Sequence, residues 1–278
     1  MNVNEHLKKH LVPLSVFILA LVTYVPTFFW MKVRWTARDS YYSHGFLIPF
    51  VVAYLIWEKR HDLKRLISAT EPVTSRWGLP LIITGIGIHV ISSILRVYFT
   101  SGFSFLLTLI GLILYFYGTA VLKTIAFPLF FLVFMIPLPE VAVVNISFRM
   151  KMIAAAIAGK VINAIGILAI RDGSVIRMPH AYVVVDDVCS GLRSLISLTA
   201  LGSIFAYMFK GPMWKRIVLF VMTIPIAIIT NVCRVVFLAF VSEVWGHEAA
   251  GGFVHDLSGF LIFVLAFILL VITGKLLE

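Results

Sequence analysis

The chain has 278 residues, 61% of them hydrophobic and 13% charged, with a mean hydropathy of +1.02. So much apolar surface excludes a soluble globular domain and indicates a polytopic membrane protein. The net charge of +10 raises nucleic acid as a partner, but the basic residues are spread along the flanks of apolar runs instead of gathering on one soluble surface. Membrane orientation accounts for them, and no nucleic acid is expected.

Apolar runs near the roughly 20 residues needed to cross a bilayer predict about eight transmembrane helices. They lie at 11–30, 44–57, 78–95, 102–121, 124–138, 188–209, 217–241 and 255–273, the second and fifth being short. Without period-two alternation, these runs favour helices over a barrel. The fold class is therefore all-α, a membrane helix bundle forming one domain over 1–278. The first run lacks a small-residue cleavage site after it and reads as a retained helix.

His44 opens the second run at its outer end, beside Tyr41, Tyr42 and Ser43, with Pro49 beyond it accommodating a bend. It suits a pocket wall or substrate positioning, or else an anchor in an aromatic belt. Gly85-Ile86-Gly87 falls inside the third run, where glycines allow close helix packing, so a phosphate-loop reading is poor.

Basic clusters alternate along the chain: Lys8 and Lys9; Lys59, Arg60, Lys64, Arg65 and Arg76; Lys123; Lys210, Lys215 and Arg216; Lys275. By the positive-inside rule both termini are cytoplasmic. Arg149, Lys151, Lys160, Arg171 and Arg177 oppose this, but they lie in the long external region between spans five and six, where the rule weakens.

From Pro139 to about Ile170 that region reads as an extracytoplasmic helix lying in the membrane interface. The alternative, a ninth crossing over Met152–Ile170, would invert the orientation on one side of it and set Lys160 where a span is deepest. Arg171-Asp172-Gly173-Ser174 is a turn between β-prone stretches, and Tyr182-Val183-Val184-Val185 reads as another strand. A small β-cap is the expectation, set against a plain connecting loop. Such a cap, directly before Cys189, could bind an extended peptide at its edge.

Three side chains stand out for chemistry. Span six opens with Asp186-Asp187-Val188-Cys189-Ser190-Gly191-Leu192-Arg193, which puts Cys189 in or near its first turn. A helix N-terminus favours thiolate, whereas Asp186 and Asp187 oppose it and either can serve as N-cap. Arg193 shares the face of Cys189.

Span seven returns outward through Asn231-Val232-Cys233-Arg234, with Asn231 and Arg234 on one face. An arginine in an apolar run is costly unless it faces a partner or a wet cavity, or snorkels to the surface. Span eight opens with His255 in its first turn, where the helix dipole disfavours imidazolium and keeps the ring able to accept a proton. A lone interfacial histidine is commonly a packing residue; a thiol and an arginine at matching depth favour the functional reading.

A disulfide between Cys189 and Cys233 is disfavoured, since it requires Cα atoms within about 7 Å and would consume the thiol. Cys233 reads as a small packing residue. No spaced Cys/His cluster appears, so no metal or cofactor is expected.

In order, Tyr42-Ser43-His44-Gly45-Phe46-Leu47-Ile48-Pro49, Ile136-Pro137-Leu138-Pro139, Cys189-Ser190-Gly191-Leu192-Arg193, Asn231 through Arg234, and His255 with Gly259 resemble the exosortase/archaeosortase family of membrane-embedded cysteine transpeptidases. The resemblance implies a nucleophile at Cys189, a basic partner at Arg234, and a histidine at His255 where archaeal relatives can carry arginine. It points to the bacterial branch: a multi-pass protein of the inner (cytoplasmic) membrane whose active site faces the periplasm.

The implied substrates are secreted proteins with a C-terminal sorting signal, namely a Pro-Glu-Pro-like motif, a transmembrane helix and a basic tail. On this basis thiolate Cys189 attacks a peptide carbonyl to give an acyl-enzyme, and His255 shuttles protons. Arg234, or alternatively Arg193, supports the oxyanion with backbone N–H groups around Ser190 and Gly191, while Asn231 and His44 serve substrate binding or oxyanion support. Transfer to an acceptor, a lipid or glycan, follows from the resemblance only. The competing classes are a non-enzymatic transporter or polysaccharide-export component, with Arg234 and His255 binding an anion, and a membrane scaffold.

Overall fold

The computed structural model describes residues 3–38, 40–69, 75–186 and 189–278. The fold is an all-α polytopic membrane helix bundle, with twelve α-helices and three short strands among the described residues. It divides into two compact units, Met1–Leu138 and Pro139–Glu278.

In the first unit, helices α1 (Val3–Thr23) and α2 (Val25–Thr36) meet at a 56° bend. Pro26, the second residue of α2, has no N–H to donate and its ring crowds the preceding turn, so the helix breaks there. The break is pinned by polar side chains of α5 (Gly78–Ile94) and α6 (Tyr98–Phe116). The Tyr24 hydroxyl lies 2.9 Å from Thr108 Oγ1 and 3.1 Å from Ser104 Oγ. Thr27 Oγ1 is 2.6 Å from Ser101 Oγ, which is 2.7 Å from His89 Nδ1.

Lipid supplies little hydrophobic drive between helices, so such bonds and close packing hold spans together. Gly85 shows the packing: a Cβ there would fall 2.3 Å from Thr108 Oγ1, whereas Gly87 faces open space.

A 3₁₀ turn, Ser43–Leu47, leads into α3 (Ile48–Glu58), followed by α4 (Arg60–Ala69). Gly45 admits the Trp35 indole, whose Nε1 donates to the Met135 carbonyl at 2.9 Å. Helices α7 (Gly118–Thr124) and α8 (Ala126–Phe131), the latter extended by a 3₁₀ turn to Met135, are bent by 65°. Pro128 crowds the Thr124 carbonyl four residues before it, which ends α7.

The second unit begins with α9 (Glu140–Ala164). This is the stretch expected to lie in the interface. It is one unbroken 25-residue helix, long and apolar enough to cross a membrane. Its end at Ala164 leaves Lys160 exposed, four residues before the end of the helix and within snorkelling reach of it.

Strands β1 (Ile170–Asp172), β2 (Val175–Arg177) and β3 (Tyr182–Val184) form an antiparallel sheet in the order β1-β2-β3. Gly173, with φ +62°, turns the first hairpin, and Asp172 faces Val175 across it. Ile176 pairs with Val183. Strands thus flank the expected turn and occupy the expected Tyr182–Val184 stretch.

Ile176 and Val185 are fully buried under the sheet, against Ala154, Ala155, Ala158 and Ile162 of α9. Burying such side chains from water stabilises by roughly 1.5–3 kcal/mol each. The same cluster takes in Val232, Val235, Leu238 and Ala239 of α11 (Met213–Trp245). The His180 main-chain N–H reaches both Glu243 carboxylate oxygens, at 3.3 and 3.2 Å, and its ring Nδ1 lies 2.8 Å from Oε1. The β2–β3 hairpin is therefore tied to the end of α11.

Helix α10 (Leu192–Met208) and α12 (Gly252–Leu277) complete the unit around a second core of Leu198, Leu219, Ile226, Ala227, Ala266 and Leu270. By length and apolarity α6, α9, α11 and α12 each qualify as spans, and the two bent pairs raise the number to six. Ser43–Glu58, α5 and α10 are shorter apolar helices, so four to six of the described helices or bent pairs are candidate spans where eight apolar runs were expected.

Candidate active site

Cys189 lies ahead of α10, whose first helical residue is Leu192. Of the two expected places, in the first turn or near it, the cysteine takes the second, three residues ahead of the first helical residue. The reason is Gly191, the N-cap residue, with φ +82° and ψ 0°. This left-handed geometry turns the chain between the cysteine and the helix.

No other residue fits at Gly191, because a Cβ would stand 2.6 Å from Asn231 Cγ. Asn231 is 3% exposed, and its Nδ2 donates to the Cys189 carbonyl at 3.0 Å. The Cys189 N–H donates to the Asp186 carbonyl at 2.9 Å, and Ser190 Oγ accepts from the Leu192 N–H at 3.3 Å. The cysteine loop is therefore fixed from both sides. Asp187 and Val188 lie outside the described residues.

The thiol faces α12. Cys189 Sγ is 3.1 Å from His255 Nε2, and Arg234 Nη2 approaches the same Nε2 at 3.1 Å. A guanidinium can only donate, which assigns Nε2 as an acceptor and puts the imidazole proton on Nδ1. Asp256 Oδ1 lies 3.5 Å from that Nδ1. His255 thus presents its one Nε2 lone pair to the Arg234 N–H and the thiol together.

Arg234 is 8% exposed. Its Nε donates to Ser258 Oγ at 3.2 Å, and Nη2 also donates to the His255 carbonyl at 3.2 Å. Ser258 Oγ in turn donates to that carbonyl at 2.7 Å. Gly259 leaves room for the guanidinium: a Cβ there would come within 3.4 Å of Nη2.

Burial pushes the Cys189 thiol up, Arg234 pulls it down, and Asp186 pushes it up again; the net direction is upward. This differs from the thiolate expected of a helix-start cysteine, because the side chain sits buried before the helix instead of on its N-terminal amides. The fold therefore favours the neutral thiol at rest.

Two cavities adjoin His255. One, of about 290 Å³, is lined by Tyr182, Val183, Val184, Cys189, Leu238 and His255, with Asp186, Ala250 and Gly251 at its margin. The other, of about 320 Å³, lies between α10 and α12; Arg193, Ser194, Arg234, His255, Phe260 and Phe263 are among its walls. Arg193 is exposed in this second cavity. Cys189, Arg234, His255, Asn231, Ser190 and Gly191 therefore gather in one place, and Arg193 borders it.

His44 belongs to the first unit, half-buried in the Ser43–Leu47 turn, with its ring 6.3 Å from that of Tyr42. Cys233 is a free, exposed thiol on α11 and Cys189 a free, buried one. Among the described residues no three His, Cys, Asp or Glu side chains gather as a metal ion would require.

Sequence reasoning missed Ser258, which joins Arg234 to the His255 carbonyl. Its signal was available: a hydroxyl three residues after His255 shares its helix face. Asn231, expected to serve substrate binding or the oxyanion, holds the Cys189 carbonyl with its amide.

No curated protein and no solved structure gives a significant match to the chain. The family model described as transmembrane exosortase (Exosortase_EpsH) matches residues 30–272, which includes every residue of the site. The chain belongs to the transmembrane exosortase family.

Proposed function

We propose that the protein is a cysteine transpeptidase that cleaves the C-terminal sorting signal of secreted proteins and passes the acyl product to an acceptor. Family membership carries a membrane transpeptidase role in general. The observation behind the finer reading is the meeting of Cys189 Sγ and Arg234 Nη2 at one acceptor nitrogen, each 3.1 Å from His255 Nε2.

The reaction runs in two halves. As Sγ attacks the scissile carbonyl carbon, the S–H proton passes to Nε2, so thiolate forms only in the act of bonding. The carbonyl π pair moves onto oxygen, and the resulting oxyanion is met by the Arg234 guanidinium, with Arg193 as the second cation available from the neighbouring cavity. Collapse breaks the C–N bond, and imidazolium returns the proton to the leaving amine.

A thioester remains on Cys189. An acceptor nucleophile then loses its proton to Nε2 and attacks the thioester carbonyl, and the restored thiolate takes the proton back. Sorting signals of the Pro-Glu-Pro type, secreted substrates and a lipid or glycan acceptor follow from the family resemblance. The basic clusters support a bacterial inner-membrane location with the site facing the periplasm and both termini cytoplasmic.

The test uses the full chain in a membrane with a secreted protein carrying such a signal. Cys189→Ala is expected to insert normally and abolish processing, and Cys233→Ala to retain it. Hydroxylamine should release the trapped product from the wild-type thioester. Continued processing by Cys189→Ala would sink the nucleophile assignment and favour a transporter using the Arg193 and Arg234 cavity.

A further inference from the structure

We infer that the cavity between α10 and α12 is the acceptor subsite, and that the acceptor it takes carries a phosphate ester. The inference rests on the transpeptidase reading and gives the second substrate its place and its charge.

The two cavities divide the reacting groups between them. Cys189 lines the first, whereas Arg193 and Arg234 line the second. Among the described residues His255 alone borders both, so its ring is a wall they share. Its Nε2 is 3.1 Å from the thiol of one cavity and 3.1 Å from the Arg234 Nη2 of the other. An acyl group held on Sγ fills the first cavity. A nucleophile arriving through the second therefore reaches the same nitrogen without displacing it.

Charge decides what the second cavity admits. Arg234 is 8% exposed, and its Nε and Nη2 are spent on Ser258 and His255, but among the described residues its Nη1 has no acceptor. Gly259, a wall residue, leaves that corner of the guanidinium uncovered: a Cβ there would lie against Nη1, at 3.9 Å. Arg193 is exposed in the same cavity and brings a second guanidinium. Gly191 offers α10 no side-chain cap, so the N–H groups of Arg193 and Ser194 add the partial positive charge of a helix N-terminus. Asp256, the acidic residue among the described walls, has a side chain 88% exposed and opposes them little.

The donors come from α11, from a side chain of α10 and from its main chain. Tetrahedral phosphate oxygens meet three such directions, and a planar carboxylate does not. Phe260 and Phe263 lie about 7.5 and 12 Å along α12 from His255, so the charged part of the cavity gives way to apolar walls. A phosphate bearing an organic group suits that gradient.

The transfer then balances without another reagent. The acceptor's N–H or O–H proton passes to Nε2 as its lone pair bonds to the thioester carbon. The π pair moves to oxygen and returns, the C–S bond breaks, and the thiolate takes the proton from imidazolium.

The test uses full-length protein in nanodiscs of phosphate-free galactolipid, acylated by a secreted protein carrying the sorting signal. Hydroxylamine at fixed concentration competes with 3-aminopropyl phosphate or with 3-amino-1-propanol, the same amine without the phosphate. The ratio of amide to hydroxamate is expected to be about tenfold higher for the phosphate, the worth of one charge-assisted hydrogen bond. One acyl-enzyme is being partitioned, so the ratio is independent of how fast it forms. Inorganic phosphate should erase the gain, as should Arg193→Gln, while Arg193→Lys keeps part of it.

Equal partition of the two amines overturns the proposal, and so does a gain that Arg193→Gln leaves whole. The comparison of amines needs only the wild-type protein, so a poorly folding variant does not decide the matter. With the gain in place, its loss in phosphatidylglycerol nanodiscs supports a lipid phosphate as the natural occupant, and its persistence there supports a soluble phosphate ester. Absence of any hydroxamate from the wild-type protein overturns the transpeptidase reading instead, and the two failures are distinct.

Discussion

Gly191→Ala is expected to disable the site without altering any group that reacts. A left-handed conformation, φ +82°, costs an alanine about 1–2 kcal/mol. The added Cβ would also stand 2.6 Å from Asn231 Cγ and 2.9 Å from its Cβ and Nδ2, closer than real contacts allow. Asn231 is 3% exposed and held to the Cys189 carbonyl, so it yields only by giving up that bond. An orphaned buried acceptor adds about 1–3 kcal/mol, for a total near 2–5 kcal/mol. A displacement of the thiol by about 1 Å should lower turnover by about a hundredfold.

The measurement is a pair of readings on purified protein, thermal midpoint in detergent and processing rate in membranes, made on Gly191→Ala, Asn231→Gly and the double variant. Because Asn231→Gly removes the clashing atoms, the double variant should cost well below the sum of the singles. Strict additivity, or a Gly191→Ala enzyme of wild-type rate and midpoint, would refute the argument.

Ser258→Ala removes the acceptor from Arg234 Nε, and kcat should fall about tenfold with little change in KM, whereas Ser258→Thr should restore it; a pure KM effect would contradict the positioning role. The raised Cys189 thiol predicts that chloroacetamide alkylation develops above the pH range of an ordinary cysteine, and Arg234→Gln, by removing the lowering cation, should move it higher still. A midpoint below that range would be incompatible. The sign also fixes stability: the fold favours the neutral thiol, so its contribution is complete below the ordinary thiol range and lost as pH rises through the raised value. Glu243→Gln weakens the tie to His180 and should increase proteolytic nicking of the 173–181 segment, while Glu243→Asp nicks less; equal nicking of all three would disprove the tether.

Much of the bundle can be read directly, because a helix in lipid must satisfy its own backbone and leaves an apolar run behind. Interruptions are harder. Residues 11–30 read as one span, yet the helix breaks at Tyr24 and continues to Thr36. Pro26 signals the break, but the polar pins on α5 and α6 are far away in sequence. The 139–170 stretch is hard to read for a local reason, since the position of Lys160 along a helix depends on where that helix ends.

At the site, the cost of Arg234 in an apolar run marked it from sequence, and His255 shared its depth. The environment of Cys189 was not legible. Whether a cysteine sits on a helix N-terminus or ahead of it depends on one backbone torsion at Gly191, and the two placements push the thiol in opposite directions. Ser258 shows the same limit, as a hydroxyl near a helix start reads as a cap until the guanidinium it holds is seen.

Helix α11 has 33 residues, about 50 Å of rise against a hydrocarbon layer of about 30 Å. It overshoots the bilayer by about 20 Å, and Arg234 stands eleven residues before its end at Trp245, about 16 Å down. An even split of the overshoot leaves the guanidinium only some 6 Å beneath the hydrocarbon boundary. The helix is then a ruler: for the proposed reaction it fixes the depth of the cut relative to the substrate's own membrane anchor. Bilayer thickness becomes a variable of the reaction, and a thinner or thicker membrane should shift the spacer length between motif and anchor that is processed best.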